Sequence, residues 1–238
     1  MEPNTPTMTK IAVGVDGSPA SDRALLWARS CATATGADLT LVELPSAPGV
    51  RYLECELARS LECELVVVAT AHRSRLGELM LGSSSRWLLN HSRGALAVVP
   101  HDWTPTTHQD NPRVVVGYDT SPHSLHALQW TLRHLSNNPT VVHVFDPRQV
   151  RNFGPNHDQL DRARLRSLNE VDTALASADI PRDLRRIFCE GRPSEVLALA
   201  EDCDTVVVSA GSTDRFPRIG SVALQTVRRA RVPVIVVR

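Results

Sequence analysis

Residues 10–27 read KIAVGVDGSPASDRALLW, and residues 113–130 read RVVVGYDTSPHSLHALQW, 103 positions later. Nine positions are identical: Val13/Val116, Gly14/Gly117, Asp16/Asp119, Ser18/Ser121, Pro19/Pro122, Ser21/Ser124, Ala24/Ala127, Leu25/Leu128 and Trp27/Trp130. A match of this length means two copies of one domain, so their differences show what the fold tolerates. Each copy opens with a short apolar run, Ile11–Val15 or Val114–Tyr118, followed by Asp, a Ser-Pro turn and a segment with helical apolar spacing. That order is strand, loop, helix.

The chain beyond the repeat keeps the same alternation. In the second copy Leu125, Leu128, Leu132 and Leu135 hold helical spacing, Pro139 is expected to stop the helix, and Val141–Phe145 reads as the next strand. A helix over Asp158–Ala178, a strand over Leu184–Cys189 and a helix over Ser194–Glu201 follow. The last elements are a strand over Thr205–Ser209, a helix over Ser221–Ala230 and a strand over Pro233–Val237. Val66–Val68 and Val206–Val208 are apolar at consecutive positions, as expected of parallel strands covered on both faces. The expected class is α/β, with tandem open parallel five-stranded sheets in the order 3-2-1-4-5.

The two copies are unequal. The alignment offset of 103 at the first strand becomes 140 at Cys63/Cys203, so 37 residues are missing from the first copy. The gap follows the strand Leu39–Leu44, where residues Pro45–Gly49 lead directly to a helix over Tyr52–Ser60. The first copy should therefore lack one helix and the outer strand. The expected units are a truncated domain over 1–103, a linker over 104–112 in a Pro-, Thr-, His- and Asp-rich stretch, and a complete domain over 113–238.

Composition narrows the partners. The 238 residues give room for two ordinary domains, and 26 basic side chains balance 26 acidic ones. No global field draws such a chain to nucleic acid or to an anionic membrane, and a small ligand suits it better. Residues 1–10 carry no signal-type apolar region and no apolar run is long enough for a membrane helix, so a cytoplasmic location is expected. Cys31, Cys55, Cys63, Cys189 and Cys203 contain no C-x-x-C pair and read as reduced, mostly buried thiols.

In a sheet of order 3-2-1-4-5 ligands bind outside the strand C-termini, where the order reverses between strands one and four. Asp16 and Asp119 end strand one, and the loops from Ala69 and Ser209 lead to Gly82-Ser83 and Gly220-Ser221 at helix starts. Free amides and the positive dipole end at such a start suit a phosphate. A carboxylate beside phosphates is repelled, so each Asp would face a base, a ribose hydroxyl or a bridging metal. The same residues also suit purely local roles: Asp16 and Asp119 in Asx turns, Ser83 and Ser221 as helix N-caps.

Val-Gly-x-Asp-x-Ser-Pro, the Val-Val-Val strand, Leu81–Ser85 (LGSSS) or Ile219–Ala223 (IGSVA), and the closing Arg231–Val237 (RVPVIVV) together resemble the universal stress proteins. The resemblance covers nearly all of both halves. It implies an adenine-nucleotide-binding fold whose last strand often pairs two domains, here Ala95–Val99 with Val234–Val237. It also implies G-x2-G-x9-G-[ST] after strand four in members that bind ATP. Here the first copy has Ala69 and His72 at the leading glycines, with Gly82-Ser83 in place. The second copy's loop is two residues shorter, with Ser209 at the first glycine, Gly211 near the second, and Pro217 within it. Glycine permits positive φ and close backbone approach to a pyrophosphate, so His72 should crowd that approach.

The leading reading is a nucleotide-responsive stress regulator rather than a catalyst, with ATP or another adenine nucleotide bound weakly or in one half, accompanied by Mg where a metal is needed. Its expected contacts are Asp119, Val144, Ser209, Gly211, Gly220, Ser221 and Val222 in the second half. Asp16, Leu44, Gly82, Ser83 and Ser84 are their counterparts in the first half. Protein partners are unspecified, and an intramolecular pseudo-dimer or a homodimer is expected. One alternative is a protein-interaction scaffold with degenerate sites; another is a weak metal-dependent phosphohydrolase using Asp16 or Asp119. His123 and His126 read as a solvated helix face, Cys63 and Cys203 as packing, and Trp27 and Trp130 as packing anchors. Arg228, Arg229 and Arg231 complement the dipole at the end of the last helix.

Overall fold

The computed structural model describes residues 7–43, 63–70, 72–73, 79–80, 85, 88–89, 92, 94–105, 112–149, 157–178, 180–200, 203–211 and 219–238. The first repeat contributes β1 (Lys10–Val15), α1 (Pro19–Thr35), β2 (Asp38–Glu43), β3 (Leu65–Ala69), the short antiparallel pair β4 (His72–Arg73) and β5 (Leu79–Met80), and β6 (Ala95–Val99). The second contributes β7 (Val114–Gly117), α2 (Pro122–His134), β8 (Thr140–Phe145), α3 (His157–Ser177), β9 (Arg186–Glu190), α4 (Pro193–Ala198), β10 (Thr205–Ser209), α5 (Ser221–Arg229) and β11 (Val234–Val237).

Among the described residues nine strands form one sheet in the order β2-β1-β3-β6-β11-β10-β7-β8-β9. Pairing is parallel within each repeat and antiparallel where β6 meets β11, with Val98 opposite Val234 and Leu96 opposite Val236. The second repeat thus runs 3-2-1-4-5, as its sequence implies. In the first repeat β2 ends the sheet among the described residues. The helix expected over Tyr52–Ser60 lies outside them.

The consecutive valines are explained by the two covered faces. Val67 and Val207 point to a core that holds Trp27 of α1, Leu128 of α2, and Val171 and Leu175 of α3. Their neighbours Val66, Val68, Val206 and Val208 point to the opposite core, with Leu88, Leu89, Leu197 of α4 and Val227 of α5. Alternation across the strand turns one apolar run into two half-cores. Trp27 is buried and Trp130 packs partly buried on the same core, which bears out their reading as packing anchors.

The helices after strand one begin identically. Ser18 Oγ accepts from the Ser21 amide at 3.2 Å and Ser121 Oγ from the Ser124 amide at 3.1 Å, each cap preceding a proline at the first helical position. Such caps satisfy amides the helix cannot, and proline has no amide to leave unsatisfied. α2 stops at His134, five residues before Pro139, so the proline is not its stop signal. Leu135 leaves helical geometry, and its amide and that of Ser136 share the Thr131 carbonyl at 2.9 Å each. Ser136 Oγ then takes the Asn138 amide at 3.3 Å, a local turn that ends the helix early.

Candidate functional site

Beyond the C-terminal ends of β7, β8 and β10 the second repeat opens a cleft of about 500 Å³. Small-molecule sites have roughly 300–1,000 Å³. The cleft lies at the reversal of strand order between β7 and β10, where open α/β sheets bind ligands. Asp119, Val144, Ser209, Gly211, Gly220, Ser221 and Val222 all line it. Asp16 occupies the equivalent position in the first repeat, directly after β1. Leu44, Gly82, Ser83 and Ser84 lie outside the described residues.

Asp119 forms the local turn its sequence allows. Its Oδ1 accepts from the Ser121 amide at 3.1 Å and from the Ser121 hydroxyl, while the Asp119 amide donates to Ser124 Oγ at 3.2 Å. Burial raises the Asp119 carboxyl, but hydrogen bonds from Ser121 and Ser124 outweigh it and hold the group below its ordinary value. Asp16 is built the same way: its Oδ1 accepts from the Ser18 amide at 3.0 Å. Hydrogen bonds from Ser18 and Ser21 outweigh the smaller burial there and lower it too. Both aspartates are therefore ionised Asx-turn residues, and in the second repeat that carboxylate faces a cleft.

The residue between Asp and Ser separates the repeats. Gly17 has φ 76° and Thr120 has φ 66°, so a β-branched side chain holds the left-handed geometry that glycine holds in the first repeat. Across the cleft, Gly211 also takes positive φ, 48°. Gly220 is needed for space, since a Cβ there would lie 2.7 Å from the Gly211 carbonyl oxygen and 3.1 Å from that of Ala210.

The Gly220 amide donates to the Ala210 carbonyl at 2.7 Å, so it closes the loop. That amide is thus engaged within the chain, and Ser221 and Val222 follow it at the start of α5. α5 itself starts without a side-chain cap, unlike α1 and α2. Its first residues, Ser221 to Ala223, line the cleft and carry the dipole's positive end. The cleft is thus lined both by the positive dipole end of α5 and by the Asp119 carboxylate.

His143 was not singled out by sequence, although a lone histidine in the apolar strand Thr140–Phe145 was the available signal. It is 8% exposed and lines the cleft. Its Nδ1–H donates to the Tyr118 carbonyl at 2.8 Å, and its Nε2 accepts from the Ser167 hydroxyl of α3 at 2.8 Å. On the rim, the Arg148 amide and Nε donate to Asp146 Oδ1 at 3.0 and 2.8 Å, and the guanidinium's bonds hold that carboxyl below its ordinary value. His123 and His126 are exposed on α2. No three His, Cys, Asp or Glu residues gather as a metal site among the described residues.

The fold and cleft define an open, doubly wound α/β protein built twice on one sheet. Residues 7–53, 49–100 and 111–238 match the profile of the universal stress protein family, and the chain belongs to that family. It is 25% identical over 284 aligned positions to a universal stress protein of Mycolicibacterium smegmatis, covering 96% of each chain. Against universal stress protein Rv1996 of Mycobacterium tuberculosis the identity is 25% over 197 positions, 75% of this chain and 60% of that one. A universal stress protein of known structure from Archaeoglobus fulgidus superposes with a TM-score of 0.61 at 17% identity, over 100% of this chain and 99% of the other. That likeness is one of fold. No helix among the described residues is long and apolar enough to cross a membrane.

Proposed function

We propose that the second repeat binds an adenine nucleotide in the cleft between β7 and β10, and that the chain acts as a nucleotide-responsive regulator rather than a catalyst. The observation that carries this reading is the α5 start: it begins at Gly220 with no side-chain cap among the described residues, and Ser221, Val222 and Ala223 stand on the cleft wall. Amides in that setting bind phosphate oxygens without needing a lysine or arginine. Gly211 and Gly220 allow the backbone of Ala210 and Gly211 to lie against the helix start, as a phosphate cradle requires. Asp119, after β7, would orient the ribose hydroxyls or base rather than the phosphates it would repel, and Val144 would contact the base. The functional units would be 1–103 and 113–238, joined through 104–112. Mg would enter only with the phosphates.

The test is isothermal titration of the full chain with ATP, AMP and cyclic AMP. Uptake of one equivalent, abolished by filling the helix start with Gly220→Val, is the expected result. No heat at millimolar nucleotide overturns the reading.

A second reading is a nucleotide-independent interaction scaffold. It is favoured by one observation, the loss of the Gly220 amide to the Ala210 carbonyl, which removes a donor from the phosphate end. Partners that bind equally with and without ATP, together with a null titration, would select it.

A further inference from the structure

We propose that His143 is a positioning residue that couples the Asp119 loop to α3, so that the two move as one unit around the cleft. Regular pairing of β7 with β8 ends at Gly117–Val142, and the Tyr118 amide adds one last bond to the Val142 carbonyl at 2.9 Å. Beyond that point it is the ring of His143, through Nδ1–H, that takes the Tyr118 carbonyl immediately before Asp119. The other ring nitrogen takes Ser167 on α3, and the Phe188 ring of β9 lies 5.1 Å away at 34°, fixing the plane of the imidazole. One buried side chain therefore ties the carboxylate loop to two elements at once.

The tie matters for the cleft because Glu170, one turn beyond Ser167, lines the same space. A shift of the Asp119 loop on ligand uptake would pass through two short hydrogen bonds to α3. That helix exposes Leu165 (65%) and Leu168 (40%), a surface on which such a shift can be read. Among the described residues the first repeat shows no counterpart of the tie. Register places Leu41 opposite Val13 and Val141 opposite Val116, so Glu43 stands where His143 stands, and it is exposed.

For the ligand's identity the inference rests on the nucleotide reading; the coupling is measurable without ligand. Full-length wild type, His143→Phe, Ser167→Ala and the double variant are compared by amide hydrogen exchange. Each single change is expected to speed exchange about tenfold both at residues 118–121 and along α3, the double adding little more, as for two ends of one link. His143→Gln, which keeps a donor and an acceptor, should restore much of the protection. Ser167→Ala leaving residues 118–121 unchanged, or the two single effects simply adding, overturns the coupling. With ATP, α3 should gain protection in wild type and lose that response in Ser167→Ala. If wild type takes up no ATP the nucleotide reading falls, and exchange in the ligand-free protein still decides the coupling.

Discussion

The two repeats share a strand-turn-helix unit with the same Asx turn and the same serine cap, and differ in what stands beside it. Asp16 and Asp119 accept from the amides of Ser18 and Ser121, and those serines cap α1 and α2 in the same way. In the second repeat β9 and α3 extend the sheet beyond β8, and α3 supplies Ser167 and Glu170 to the cleft. In the first, β2 closes the sheet among the described residues and presents Leu41 at 49% exposure. The repeated motif is therefore a folding unit first. In the second repeat the cleft is walled by β8, α3 and the start of α5 as well as by the motif, so Val-Gly-x-Asp-x-Ser-Pro alone does not account for it.

The strongest way to break this comparison is at the loop closure found in the second repeat. Gly220→Ala places a Cβ 2.7 Å from a backbone oxygen and should destabilise the protein by about 1–3 kcal/mol, read as a lower urea midpoint with unchanged slope. An unchanged midpoint would show that the loop is not packed against the helix start. Next come the caps: Ser18→Ala and Ser121→Ala should each cost about 1 kcal/mol. A clear difference between them in thermal melts would mean that the shared unit is not equally built in the two halves.

The left-handed position gives an opposed pair. Thr120→Gly relieves a β-branched residue at φ 66° and should raise stability by about 1 kcal/mol, whereas Gly17→Thr should lower it by a similar amount. Among the described residues, chain neighbours aside, nothing lies within 4 Å of a Cβ at Gly17, so the loss there should report chiefly backbone conformation. The smallest effect is in acid. Hydrogen bonds overcome burial to depress the Asp119 carboxyl, so its contribution is complete above the unfolded value of about 3.9 and is lost as pH falls through the folded one. Asp119→Asn should narrow the difference in Tm between about pH 7 and about pH 3. An unaltered difference would show that the carboxylate's hydrogen bonds add no stability.

Much of this architecture was legible because periodicity and repetition are local. The strand Thr205–Ser209 is read to the residue from its apolar run, and the end of α5 is placed one residue away. Pro139 misled because the end of α2 depends on the Ser136 hydroxyl and the Thr131 carbonyl, a competition a breaker residue does not announce. His143 was invisible as a link because its partners lie 25 and 24 positions away on different elements. A second hidden repeat has the same cause. Glu64 Oε2 accepts from the Lys10 amide at 2.8 Å and Asp204 Oδ2 from the Arg113 amide at 2.8 Å, pinning the base of strand one in each half through different acids.

The antiparallel seam between β6 and β11 lies within one chain, with Ile235 opposite Ala97 at its centre. Tethering the two closing strands raises their effective concentration for each other far above that of any separate molecule, and makes the pairing independent of dilution. A chain joined in this way commits the closing edge of each half to the other, so exchange of partners through that edge must first compete with its own covalently attached neighbour.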